Sequence, residues 1–199
     1  MDGQFFACTL SRIQWVVTIG VMVFLAALVL AIFALLLATA LATGERLVIV
    51  PLVVLAGIAA LAFGGLFILA GYAPRGFVVD ANGISIVRRN RKTVVLPAQE
   101  ITSLTAIDGK VLDGCIRVWG TGGFFGSWGY FSCPKLGSFR AYMTNRESLV
   151  LIRAAHEGLL VVSPDSRADF IACAEKTFGL SPSASLDLKQ QGLPTNGAM

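Results

Sequence analysis

The chain has one histidine, His156, and before Tyr72 its only charged residues are Asp2, Arg12, Glu45 and Arg46. A single imidazole leaves little for acid–base chemistry, and this one falls in the turn Ala155-His156-Glu157-Gly158 with no Ser or Cys nucleophile beside it. It reads as a solvent-exposed turn residue. Cys8, Cys115, Cys133 and Cys173 form no C-x-x-C pair, so their spacing implies neither a zinc site nor a dense disulfide framework. Free thiols fit a reducing compartment, with a single Cys115–Cys133 disulfide as the open alternative. Carboxylate pairs, metal-ligand spacings and nucleophile elbows are all missing. No enzyme activity, cofactor or metal is therefore expected.

Apolar residues are abundant instead. The chain is 55% hydrophobic and 14% charged, too apolar for an ordinary soluble domain. The excess lies almost entirely before Tyr72. From Ala73 the composition is that of a globular domain, and the stretch to Leu180, roughly 110 residues, can bury its own core. The net charge of +4 belongs to this second part, because the four earlier charges cancel. A moderately basic part attached to a membrane suits the anionic cytoplasmic leaflet, and nucleic acid is not expected as a partner.

Residues 1–12 read as an N-terminal tail. Ile13 to Leu41 carries no charge and exceeds the ~20 apolar residues that a membrane span requires. Trp15 near its start suits an interface. Leu47 to Tyr72 is a second uncharged run, with Pro51 in its first turn, where the missing N–H costs little. The short connection, Ala42 to Arg46, forces two antiparallel neighbours. Small residues at helical spacing (Ala34, Ala38, Ala42; Ala56, Ala60, Gly64) would let them approach closely. A cleaved signal peptide ending near Ala38-Thr39-Ala40 is the competing account, but the apolar run exceeds the usual ~7–15 residues and no basic leader precedes it. The inter-helix loop has one Arg, whereas Arg75, Arg88, Arg89, Arg91 and Lys92 follow the second run. The positive-inside rule thus predicts a two-pass protein of a bacterial-type plasma membrane with both termini in the cytoplasm.

After Gly76 the apolar period becomes alternating. Phe77 and Val79, the turn Asp80-Ala81-Asn82-Gly83, then Ile84 and Ile86 predict a hairpin. Further strands are expected at Thr93–Leu96, Ile101–Ile107, Cys115–Trp119, Phe139–Met143, Leu149–Ala154 and Leu159–Val162, with turn residues between them. A helix then follows, with Ser163 as N-cap, Pro164 and Asp165 in its first turn, and Phe170, Ile171, Ala174 and Phe178 on its buried face. Gly179 ends it, and residues 181–199 read as a disordered tail.

This order, together with Arg117, the glycines Gly120, Gly122, Gly123, Gly126 and Gly129, then Tyr142-Met143-Thr144 and Ser163-Pro164 leading to Phe170, resembles a bacterial pleckstrin-homology-like family that often follows two membrane helices. The resemblance covers roughly Ala73 to Phe178, within a PH-like domain expected over residues 73–180. It implies an all-β barrel of about seven antiparallel strands closed by a C-terminal α-helix, carried on an N-terminal transmembrane hairpin. It also implies a binding module without catalytic residues.

Two segments invite a site. The run Gly120 to Gly129 is no phosphate loop: no helix follows it, and Phe125 occupies the third glycine position of a Gly-x-Gly-x-x-Gly frame starting at Gly120. Its aromatics either complete the core or form a protein-contact patch, for which Phe124, Phe125 and Trp128 are the candidates. Arg88, Arg89, Arg91 and Lys92 form a basic turn suited to anionic lipid head groups, or else merely a solvated topology signal. Phosphoinositide-binding relatives carry their bases around the first hairpin turn; here that turn is Asp80-Ala81-Asn82-Gly83, with none. The expected function is a membrane-anchored binding or scaffolding protein, with the bilayer and a possible membrane-protein partner as contacts. The alternative is an accessory subunit of a transporter or membrane enzyme, assembled through the helical hairpin.

Overall fold

The computed structural model describes residues 3–43, 49–123 and 125–180. The expectations for Glu45, Arg46 and Leu47, for Phe124 and for the tail after Leu180 lie outside the described residues.

Strand β1 (Gln4–Ala7) precedes two long helices, α1 (Arg12–Thr43) and α2 (Ile49–Tyr72). Both helices are long and apolar enough to cross a membrane. At 1.5 Å per residue, the 24 residues of α2 extend about 36 Å, against ~30 Å of hydrocarbon. The seam between them is not the small-residue stripe. Ala56, Ala60 and Gly64 are exposed, and nothing lies within 4 Å of where a Gly64 Cβ would stand. The less exposed positions of α2 instead include Leu52, Leu55, Ala59, Phe63, Leu66 and Ala70, a series spaced three and four apart as a packed seam requires, with Gly65 beside it.

After α2 come β2 (Pro74–Asp80), β3 (Gly83–Arg88), β4 (Val94–Pro97), β5 (Ile101–Ile107), β6 (Ile116–Gly123), β7 (Gly126–Cys133), β8 (Gly137–Met143), β9 (Leu149–Ala154), β10 (Gly158–Val162) and α3 (Arg167–Phe178). The expected closed barrel of about seven antiparallel strands does not form. Among the described residues, ten strands make two sheets, ordered β1-β2-β3-β4 and β5-β9-β10-β8-β7-β6, and neither closes. The second sheet is mixed, because β10 runs parallel to β8, with Val161 opposite Ala141. Alternation in the sequence identifies strands but does not choose their neighbours, so the order and the parallel pair were invisible to it.

Two strands replace segments read otherwise. Gln4–Ala7, taken as tail, pairs antiparallel with β2, Phe6 opposite Phe77. The glycine run is a hairpin, β6 with β7, whose backbones approach so closely at Gly120 and Gly129 that a Cβ on either would lie 2.1 or 2.2 Å from a carbonyl oxygen of the other strand.

The main core lies between the sheets. Phe6, Phe77, Ile84 and Ile86 of the first meet Leu104, Val150, Ile152 and Leu160 of the second, with Phe170 and Ala174 of α3. Alternate residues of the second sheet, among them Leu149, Leu151 and Val161, enter a second cluster with Leu112 and Leu136. Burial on both faces explains the unbroken apolar runs of β9 and β10. Ser163 does not cap α3. The N-cap is Ser166, and the fully buried Ser163 hydroxyl accepts from the Thr144 amide at 2.8 Å.

The cysteines also depart from expectation. Cys115 and Cys133 are joined as a disulfide, with Cα atoms 4.2 Å apart, and only Cys8 and Cys173 are free thiols.

Candidate functional site

The features singled out in the sequence converge where the helices meet the sheets. Ser11 starts α1: its hydroxyl accepts from the Gln14 amide at 3.3 Å, and its own amide donates to the Thr144 carbonyl at 3.1 Å. This side-chain bond satisfies one of the donors that a helix start leaves open. Just before it, the Thr9 amide and hydroxyl both donate to Asp165. The start of α1 is therefore bonded to the domain at two places.

The end of α2 is fixed by the basic turn. The Asn90 amide donates to the Gly71 carbonyl at 3.2 Å, and the Arg89 amide to the Ala73 carbonyl at 3.1 Å. The carbonyl end of a helix carries partial negative charge, so a cationic turn suits this position. Arg88 is half-buried; its guanidinium donates to the Lys92 carbonyl and closes the turn. Arg89, Arg91 and Lys92 remain exposed. Of the four cations marked in the sequence, Arg88 closes the turn, and Arg89, Arg91 and Lys92 present exposed side chains.

Aromatics continue the joint. The Arg91 guanidinium stands 4.4 Å from the Tyr72 ring centre, and Tyr72 stacks on Trp128 at 4.8 Å. Trp119 meets Trp128 edge-on at 5.9 Å. Trp128 is only 6% exposed and belongs to the main core, so it is a joint residue and offers little contact surface. Phe125 is half-buried, with φ of 56°, in the β6–β7 turn. The sequence reading missed Trp119, Ile116 and Val118 on β6, which are between 62% and 67% exposed on the open edge of the second sheet. The run Ile116-Arg117-Val118-Trp119 alternates only once before Val118 and Trp119 fall side by side, too short a pattern to distinguish an exposed edge from a buried strand.

Among the described residues, the one strongly shifted group is a thiol. Burial pushes Cys8 from 9.0 up to about 12, against the opposing hydrogen bond with Thr144. A thiol that holds its proton more tightly when folded contributes stability below about 9, and this is lost as pH rises toward about 12. At pH 8 the Cys8 thiol is almost wholly neutral, so maleimide should modify Cys173 and leave Cys8 until the protein is unfolded. Mass mapping of the singly labelled protein checks this; first labelling at Cys8 would contradict the buried position.

Among the described residues no group of three or more His, Cys, Asp or Glu could hold a metal ion. His156 is exposed in its turn. Two open sheets sealed by a helix, with a cationic turn and stacked rings at the joint, define a β module joined to two apolar helices. The chain belongs to the bacterial PH domain family: residues 75–177, just over half its length, match the family described as Bacterial PH domain. No curated protein and no solved structure matches it. The family match runs from β2 into α3, so β1 and both long helices lie outside it.

Proposed function

We propose that the chain is a membrane-anchored PH-like binding module, held on two spanning helices against the cytoplasmic face of a bacterial-type plasma membrane. The observation that carries this reading is the bond between the basic turn and the last turn of α2, Asn90 to Gly71. If α2 spans, that bond sets Arg89, Arg91 and Lys92 at head-group level. The pairing of β1 with β2 supports a hairpin in which the chain before α1 lies on the same side as the chain after α2. Sidedness itself rests on the Lys/Arg bias alone, because the Cys115–Cys133 disulfide removes two of the thiols that suggested a reducing compartment.

Each base near an anionic leaflet contributes ~1 kcal/mol, so the three exposed ones supply at most roughly 3 kcal/mol before ordering costs. That is weak for recruiting a free domain and sufficient to orient a tethered one. The full chain, reconstituted in vesicles, should be cleaved by trypsin at Arg89, Arg91 and Lys92 more slowly when the vesicles contain phosphatidylglycerol than when they are pure phosphatidylcholine. High salt should abolish the difference. Equal cleavage rates at low salt would reduce the cluster to a helix cap and topology signal.

A second reading, an accessory subunit joined through the hairpin, is favoured by one observation. The stripe Ala56, Ala60 and Gly64 faces away from α1 and stays open, and small residues are what another membrane helix packs against. A stoichiometric membrane-protein partner retained in mild detergent, and lost when Gly64 becomes Leu, would select this reading.

A further inference from the structure

A cavity of about 570 Å³ lies between the first turns of α1 and the start of β2. It is lined by the apolar Trp15, Ile19 and Met22 of α1 and by the cations Arg75 and Arg89. Among the described residues, none lining it is a carboxylate. The nearby Asp165 already accepts from the amide and hydroxyl of Thr9. Thr18, which also lines the cavity, is only 3% exposed, and its hydroxyl has no hydrogen-bond partner. A buried, unsatisfied hydroxyl is costly and asks for a polar ligand atom.

We propose that this cavity holds one anionic phospholipid, its phosphate between Arg75 and Arg89, the Thr18 hydroxyl donating to it, and the upper part of an acyl chain along Trp15, Ile19 and Met22. The apolar lining decides for a lipid over a free phosphate. It is the start of α1's long uncovered face, where Trp15 is 56% and Ile19 39% exposed, so the cavity opens to the surroundings of the helix. A soluble anion would leave that lining unused. The volume lies within the usual ~300–1,000 Å³ of ligand sites and suits a head group with part of a chain. The site differs from the exposed basic turn, sharing with it only Arg89, and it rests on the reading that α1 lies in a bilayer.

The test uses the full chain in phosphatidylcholine nanodiscs titrated with phosphatidylglycerol, with retained lipid counted by native mass spectrometry. One phosphatidylglycerol should be retained in preference to phosphatidylcholine. Arg75→Gln and Arg89→Gln, both at exposed positions, should each weaken retention about fivefold. Thr18→Val should weaken it as well, and Lys135→Gln, at an exposed cation of the β7–β8 turn that does not line the cavity, should leave it unchanged. Equal retention of phosphatidylcholine would overturn the proposal, as would full retention in Arg75→Gln, or displacement by soluble glycerol phosphate at the same concentration as the lipid. Alkaline carbonate extraction of the chain from membranes separates the two levels. Extraction into the soluble fraction sinks the anchor and this inference together, whereas an integral chain that retains no phosphatidylglycerol sinks this inference alone.

Discussion

Phe170→Ala should lower the stability of the domain by about 3–5 kcal/mol, a large part of what a domain of this size possesses. Phe170 is fully buried and sits edge-on to Phe6 at 5.3 Å and to Phe77 at 5.9 Å. One ring thereby ties α3 to β1 and β2, and its removal leaves a cavity that three separate elements would have to move to fill. Urea unfolding in mild detergent checks this through Trp128, which lies in the same core. A loss below ~1 kcal/mol would mean that α3 does not seal the space between the sheets.

The second large effect is expected from Gly129→Ala. Its new Cβ would stand 2.2 Å from the Trp119 carbonyl oxygen, on a backbone with φ of +120°. Strain of about 1–3 kcal/mol adds to a similar cost for displacing the neighbouring strand. The edge strand β6 should lift from β7, speeding amide exchange along β6 and separating Trp119 from Trp128. Gly137→Ala is the control. There φ is +71° and nothing lies within 4 Å of the added Cβ, so only a backbone cost near ~1 kcal/mol remains. Equal losses in the two variants would show that φ alone matters at Gly129 and that the close approach of the strands contributes nothing.

The difference between these glycines shows where sequence reading stops. Strands β2, β3, β5, β9 and β10 were legible because apolar residues alternate or run unbroken between turn residues, and α3 because Phe170, Ala174 and Phe178 recur at helical spacing. Strand β7 was not, because Gly126, Gly129 and the aromatics between them carry no clean period. Their spacing answers to β6 across the hairpin, a long-range condition that no local window contains. Strand β1 failed for a related reason: four residues are too few to show a period, and their partner stands beyond both long helices. The closed barrel was an expectation drawn from element order, and order does not state which edges meet.

Of the candidate site, the residues were visible and their grouping was not. Arg88, Arg89, Arg91 and Lys92 read as one cluster, yet Arg88 closes a turn while Arg89 lines a cavity with Phe125. Trp128 and Phe125 read as one patch, yet one is core and the other lines that cavity. Thr18 carried no signal at all: a lone hydroxyl in an apolar run becomes informative only when its partners can be counted. The same holds for Ser11, whose capping role needed the Gln14 amide in view.

The pairing of β1 with β2 also bears on the order in which the molecule is made. Residues Gln4–Ala7 leave the ribosome before their partners Gly76–Val79, which follow only after α1 and α2 have been synthesised. Until then β1 has no edge to join, and closing so long a loop carries an entropic cost that local hairpins such as β2–β3 avoid. Translation order and folding order therefore run in opposite directions at this corner of the protein. Among the described residues β1 is an edge strand of its sheet, and it docks only after the helical hairpin has brought its two ends together.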